Sequence, residues 1–334
     1  MHHRFTVCIR CSTYNHQNFI KMALNGFVMQ EMSFPFVISI LDDASTDGTP
    51  RVLRDYYDEY FDTQDSKVAF QEEHDYGTLL FARHSVNKNC FIAIVLLKEN
   101  HYSQRKTKRP YLQRWMEESK YIAYCEGDDF WTESKKLQKQ VDFLESNPDY
   151  VMCFHKVNVL CDDKENWIFS DLEVGDYSAR DIYDNWVVPT CSVMYLYAAK
   201  PVFESSRDVV FNDIFMWLQL AEKGRLYCMD FVGATYRRHA GSFSCGYSVE
   251  TCIRLYRQYR FFEKRFPSLK DISRRKQETQ GLRGIIYAPY FPGIWKYRVL
   301  YMFRHPKLFF SPFFTNTILS YTPFRSIWRW IKKR

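Results

Sequence analysis

The stretch Tyr121-Ile122-Ala123-Tyr124-Cys125-Glu126-Gly127-Asp128-Asp129-Phe130-Trp131 constrains the fold more than any other part of this chain. An apolar run with the character of a buried strand ends in three carboxylates within four residues. Neighbouring carboxylates repel one another, and desolvating them costs several kcal/mol unless a cation or hydrogen bonds compensate. Hard divalent ions such as Mg²⁺ or Mn²⁺ take oxygen ligands and usually reach enzyme sites together with substrate phosphates. Open α/β sheets hold ligands at the carboxyl ends of their strands. The stretch therefore points to a metal–phosphate site at a strand end. The competing account is an acidic turn that caps the following helix.

The segments before and after it alternate in character. Residues 5–11 and 36–41 read as buried strands, 18–30 as a helix, and 68–70 as a short third strand. Thr49-Pro50 supplies an N-cap followed by proline at the first helical position, opening a helix to about residue 60. Residues 134–145 form a further helix, halted by Asn147-Pro148. This order predicts an α/β fold with a mainly parallel sheet covered on both faces. Residues 100–109 are polar and basic, and predict a mobile loop near the site. A strand over 150–159, an extended segment over 187–197 and an amphipathic helix over 211–222 ending at Gly224 follow. Beyond residue 249 the pattern turns helical. The chain divides into a domain over 1–248 and a helical, basic and aromatic extension over 249–334.

Composition narrows the class. A hydrophobic fraction of 46% and a charged fraction of 25% describe a globular protein with a substantial core. Ten cysteines in 334 residues do not make a disulfide scaffold, and several lie in apolar runs as reduced core residues do. Cys8 and Cys11 have zinc-pair spacing, but no second pair completes a tetrahedral site. The opening residues read directly into the first strand, so the sequence predicts a protein kept in a reducing cytoplasm. No apolar run reaches the ~20 residues of a membrane span. The net charge is +7, and residues 283–334 carry many Lys and Arg and no acid. Aromatics interleave with these cations, as in Trp328-Arg329-Trp330-Ile331-Lys332-Lys333-Arg334. Such a tail suits an anionic membrane surface on the inner face of the cell membrane. Nucleic acid is a rival partner, though not the expected one; packing on the catalytic domain is the third account.

Two strand ends accompany the acidic one: Ser12-Thr13-Tyr14-Asn15-His16 and Asp42-Asp43-Ala44-Ser45-Thr46-Asp47-Gly48-Thr49. Adjacent parallel strands bring such ends side by side. An aromatic face and a carboxylate there can stack on a base and accept its imino N–H. Taken singly, these residues are also what turns prefer.

Taken in order, these blocks resemble those of the family 2 glycosyltransferases of the GT-A fold, particularly bacterial members that build surface polysaccharides. The resemblance includes Lys136-Leu137-Gln138-Lys139-Gln140-Val141-Asp142-Phe143-Leu144, then Asp213 ahead of Ala221-Glu222-Lys223-Gly224, then Tyr236-Arg237-Arg238-His239. It covers residues 5–245 and rests on five blocks in order. It implies that Ser12, Thr13, Tyr14, Asp43 and Glu126 contact a nucleotide-sugar, with a UDP-sugar expected. It implies Asp128, Asp129 and His239 at a Mg²⁺ or Mn²⁺ ion on the diphosphate. Asp213 is implied as the base that deprotonates a hydroxyl of a glycan or lipid-linked sugar acceptor. One base predicts one in-line displacement, with inversion.

Three positions depart from the family pattern. Glu126 replaces the usual first Asp of the DxD block, Asn212 stands where many relatives have an acid, and Arg10-Cys11 replaces an apolar-Pro pair. A processive synthase is not expected, because Gln113-Arg114-Trp115 is too short for a QxxRW block and precedes the acidic turn. A nucleotidyltransferase would need a glycine-rich loop after the first strand, where Ser12–His16 has no glycine. A non-catalytic nucleotide-sugar-binding relative would not need every carboxylate present here.

Overall fold

The computed structural model describes residues 3–161, 165–169, 172–202, 208–239 and 249–282, with residues 300, 303 and 306 besides. Apart from those three positions, the basic tail of residues 283–334 lies outside the described residues. The first half runs β1 (Phe5–Thr13), α1 (Ile20–Val28), β2 (Phe36–Asp42), α2 (Thr49–Tyr60), β3 (Phe70–His74), β4 (Gly77–Arg83) and β5 (Cys90–Leu97). Next come α3 (Arg109–Glu117), β6 (Ser119–Tyr124), β7 (Phe130–Trp131), α4 (Lys136–Ser146) and β8 (Tyr150–Cys161). Then follow β9 (Glu165–Ile168), β10 (Gly175–Tyr177), α5 (Ala179–Asn185), β11 (Met194–Leu196), α6 (Asn212–Ala221), β12 (Arg225–Arg238), α7 (Val249–Arg265) and α8 (Lys270–Lys276).

The strands form one mixed sheet in the order β10-β12-β8-β11-β6-β1-β2-β5-β4-β3, with β7 against β12 and β9 against β8. β6, β1, β2 and β5 are parallel neighbours, and so are β8 and β12. β11 is antiparallel to both β6 and β8, which makes those two run the same way. Six strands thus point their carboxyl ends at one edge. All seven residues of β2 are buried, as expected of a strand with neighbours on both sides and helices on its faces.

The helices are held by apolar residues at helical spacing. In α1, Ile20, Ala23, Leu24 and Phe27 are buried. Gly26 lets α1 come close to β7, since a Cβ there would stand 2.9 Å from the Trp131 backbone N and O. Trp131 donates its indole N–H to the Cys191 carbonyl at 2.8 Å. The chain start of α2 differs from the expected cap: Gly48 is the N-cap and Thr49 already helical. Asp47 does the capping work, its Oδ1 accepting the Thr49 N–H at 2.9 Å and hydroxyl at 2.5 Å.

The antiparallel strands β4 and β3, and the helix α3, add to the expected alternation. The third strand lies at Phe70–His74, not at 68–70, because Val68 and Ala69 both donate N–H groups to the Asp65 carbonyl in a turn. The 187–197 segment contains only three strand residues, after a 3₁₀ turn at Thr190–Ser192.

Two compact units are present. The first comprises residues 1–202 and 216–242, and the second 203–215 and 243–334. The first contains the whole sheet. In the second, α7 presents Phe262, which stacks on Phe215 at 5.6 Å, and buried Gln258, whose Oε1 accepts the N–H groups of Val210 and Phe211.

Candidate functional site

The loops after β1 and β2 are stitched together by a set of hydrogen bonds. Asn15 N–H donates to Ser45 Oγ at 2.8 Å, and Asn15 Oδ1 accepts the Thr46 N–H at 2.8 Å. His16 N–H donates to Thr49 Oγ1 at 2.8 Å, and Gln17 N–H to Asp47 Oδ2 at 3.0 Å. Gln17 Oε1 in turn accepts the Gly48 N–H at 2.9 Å. Asn15 and Ala44, one in each loop, both sit in the left-handed region at φ 57°. The Ser, Asp and Asn side chains that favour turns here join two turns to each other. They fix the backbone of His16.

The acidic turn extends the β1–β6 pairing. Gly127 N–H donates to the Ser12 carbonyl at 3.0 Å, while Ser12 N–H donates to Glu126 Oε2 at 3.1 Å. Gly127 cannot carry a side chain without displacement: a Cβ would stand 2.7 Å from Thr13 Oγ1 and 3.0 Å from His16 Nδ1. Asp129 is buried and its Oδ1 accepts the Arg237 N–H of β12 at 2.8 Å. Arg237 also donates from Nη1 to the Asp128 carbonyl at 3.3 Å and lies 4.6 Å from the Phe19 ring centroid. The turn and the end of β12 are thereby locked together.

Asp128 remains available at the edge. Its Oδ2 lies 3.3 Å from His239 Nε2 and 4.0 Å from His16 Nε2. One donor atom from each of His16, Asp128 and His239 falls within 4.8 Å of the others. Donors about 2.1 Å from a common octahedral ion stand about 3.0 Å apart when adjacent and about 4.2 Å apart when opposite. The two distances from Asp128, 3.3 and 4.0 Å, fall in that range. Burial pushes the His16 imidazole below its ordinary pKa, with Asp128 opposing. Burial pushes Glu126 up, with Arg10 opposing. Asp129 is pushed well up, by burial first and by Asp128 next, the Arg237 N–H opposing.

The other expected residues are distributed around this point. Tyr14 is 44% exposed and presents its ring to solvent at the end of β1. Thr13 is buried, with Oγ1 against Gly127 rather than in the open crevice. Asp43 is buried and its carboxylate already has three donors: His101 N–H at 2.7 Å, Tyr102 N–H at 3.1 Å and Lys108 Nζ at 3.1 Å. The 100–108 segment, expected beside the site, is pinned there by that carboxylate. Asp129 stands apart from the His16–Asp128–His239 group, its carboxylate turned to β12. Asp213 belongs to the second unit, in the first turn of α6, where its Oδ1 accepts the Ile214 N–H at 2.7 Å.

Four residues of the site were not picked out in sequence. His16 closes the first block, Lys108 sits in the basic segment, Arg237 in the Tyr-Arg-Arg-His block and Arg10 in β1. Each carried a signal of position, but none a signal of partner. A cavity of about 310 Å³ lies between β10 and the start of β12, and one of about 420 Å³ between β10 and α5, both without any lining residue of the site. They have no part in this site.

No family model matches the chain. Two relatives, Rv1520 of Mycobacterium tuberculosis and Mb1547 of Mycobacterium bovis, are each described as an uncharacterized protein. Each is 30% identical over 237 residues, which are 68% of this chain. The match spans 57% of the length of each relative. Among solved structures, residues 1–349 of Staphylococcus aureus TarS in complex with UDP-GlcNAc match with a TM-score of 0.52 at 16% identity. That match covers 93% of this chain and 75% of that one. The TarS complex with UDP matches with a TM-score of 0.51 at 12% identity, covering 93% and 74%. Together with the sheet described above, this likeness defines the class of fold. The chain has the GT-A fold.

Proposed function

We propose that this chain is a family 2 type glycosyltransferase. It moves a sugar from a nucleoside-diphosphate donor to a hydroxyl of a glycan or glycolipid, with inversion, in the assembly of a cell-surface polysaccharide. The observation that carries this reading is the approach of Asp128 and His239 to 3.3 Å, at the sheet edge where β1 and β2 deliver Tyr14 and Asp43. The likeness to TarS bound to UDP and to UDP-GlcNAc supports a UDP-sugar as the donor, of hexosyl or N-acetylhexosaminyl type.

Each residue has a defined task in this reading. The exposed Tyr14 ring offers a stacking face to the base. Asp43 offers its carboxylate to the base imino N–H, which takes the place of one present donor. Ser12 and Thr13 shape the strand end under the ribose, and Glu126 holds that end through the Ser12 N–H. Asp128 and His239 hold the Mg²⁺ or Mn²⁺ ion. Bound there, the ion supplies Lewis-acid neutralisation of the charge that grows on the departing diphosphate.

Asp213 takes the proton of the acceptor hydroxyl. A hydroxyl is a poor nucleophile, and a positioned carboxylate base lowers the barrier to its attack. The hydroxyl oxygen bonds to the anomeric carbon as the bond to the nucleoside diphosphate breaks, and that electron pair leaves with the diphosphate. One displacement of this kind inverts the anomeric centre. The basic, aromatic residues 283–334 place the enzyme on the anionic inner face of the cell membrane, where lipid-linked acceptors reside. Among the described residues, no helix is long and apolar enough to cross a membrane.

The test is a thermal-shift panel of UDP- and GDP-sugars, each with Mn²⁺ and with a chelator. A ligand that binds only the native state raises the unfolding midpoint. At least one sugar nucleotide is expected to raise it in a cation-dependent way. A panel with no shift contradicts the reading.

A further inference from the structure

The cluster at the sheet edge holds more than the Asp128–His239 pair. His16 also reaches it, its Nε2 lying 4.0 Å from the same Asp128 oxygen. Its ring stands perpendicular to that of His239, at 88° and 6.3 Å between centroids. Phe19 packs against both rings, at 6.2 Å from His16 and 4.8 Å from His239.

We propose that His16 is a third protein ligand of the cation, and that the resulting set of two imidazoles and one carboxylate selects Mn²⁺ over Mg²⁺. This inference rests on the reading that Asp128 and His239 hold the cation of a nucleoside-diphosphate site.

The backbone argues for a built site rather than a chance approach. The His16 N–H is fixed on Thr49, and the neighbouring residues 15 and 17 are tied to Ser45, Thr46, Asp47 and Gly48. A ligating histidine needs its second ring nitrogen held, which sets the tautomer and the ring orientation. His16 Nδ1 is buried with no hydrogen-bond partner, and so is Thr13 Oγ1. Both lie within 3.0 Å of the one point where a Cβ on Gly127 would stand. An Nδ1–H tautomer would leave the Nε2 lone pair for the cation.

The donor set then decides the metal. Mg²⁺ prefers oxygen ligands, keeps several waters and gains little from imidazole. Affinity of nitrogen-containing sites rises along the first-row transition ions, and even Mn²⁺, the weakest of them, gains from two imidazoles where Mg²⁺ does not. One carboxylate with two water-displacing imidazoles is a poor cradle for Mg²⁺.

The test uses the full chain saturated with UDP and titrated with Mn²⁺, following the loss of the free-ion electron paramagnetic resonance signal. Spin-echo modulation of the bound ion counts directly coordinated imidazole nitrogens. The wild type is expected to show two, and His16→Ala one, with Mn²⁺ affinity lower by about tenfold or more. The Thr49 bond uses the His16 backbone, so His16→Ala keeps it; His16→Gln, closer in volume, is the second variant. Equimolar Mg²⁺ is expected to leave Mn²⁺ bound. Two nitrogens and unchanged affinity in both variants would overturn the ligand assignment while leaving the Asp128–His239 reading intact. Displacement of Mn²⁺ by equimolar Mg²⁺ would overturn the selectivity. A wild type that binds no Mn²⁺ removes this inference and the cation of the proposed function together.

Discussion

At the scale of single residues, the carboxylates of this chain divide by what satisfies them. Asp129 is committed to the Arg237 N–H, Asp43 to three donors from the 100–108 segment, and Glu126 to the Ser12 N–H. Asp128 faces two imidazoles instead of a backbone donor. That an acidic cluster stands at a strand end was legible from Glu126-Gly127-Asp128-Asp129 alone. Which acid faces which partner was not, because Arg237 and His239 lie more than 100 positions away in the chain. His16 went unread for the same reason: its partners meet it only through the fold. In the proposed function the proton chemistry falls to Asp213, outside this cluster. Asp213→Asn keeps size and polarity but removes the base, so transfer is expected to fall about 10²–10⁴-fold with UDP binding unchanged. A transfer assay paired with UDP calorimetry checks this, and unimpaired turnover would refute the assignment.

At the scale of elements, the βα alternation was readable because apolar strands and amphipathic helices carry different periods. The hairpin strands β3 and β4 escaped it. Residues 71–73 are exposed and polar, and the edge strand they form has no buried face to write a pattern. The helix α3 was hidden by its basic start, although Trp115 within it stacks on Phe81 at 4.8 Å. Helix α4 contains a feature that periodicity could not show. Lys136 is fully buried, with Nζ donating to Gln140 Oε1 at 2.7 Å and lying 4.0 Å from the Trp131 ring centroid. Burial lowers its pKa from 10.5 to about 8.

The sign of the consequence is definite. Between pH 8 and 10.5 the unfolded chain holds a proton at this position that the folded chain has lost, so stability contributed by Lys136 rises with pH across that window. It falls as pH drops through the folded value, and below about pH 8 a penalty of roughly 3 kcal/mol persists. Lys136→Met has no such dependence. The difference in stability between wild type and variant, measured by urea unfolding at pH 7.5 and pH 10, is therefore expected to shift in favour of the wild type at the higher pH. A difference that stays constant would show that the folded chain keeps its proton on Lys136 across that range, so that burial does not lower its pKa.

At the scale of the whole molecule, the sheet and the site it edges belong to one compact unit, while Asp213 and the helical residues 249–282 belong to the other. The fold was legible because five short blocks recur in a fixed order. The sugar and the acceptor were not, since no residue code for either stands out along the chain. Removal of the residues after Ala288 tests the proposed membrane role of the tail. Sedimentation with anionic vesicles is expected to drop, and sedimentation equal to the full chain would contradict it. The central claim is that Asp128 anchors the cation through which a nucleoside diphosphate is held at this edge. Calorimetric titration with UDP, in Mn²⁺ and in chelator, measures it most directly for the wild type and Asp128→Ala. The account predicts tight binding by the wild type only with Mn²⁺, and weak binding by Asp128→Ala that Mn²⁺ does not improve. A wild type indifferent to Mn²⁺, or an Asp128→Ala variant that still responds to it, would contradict the account.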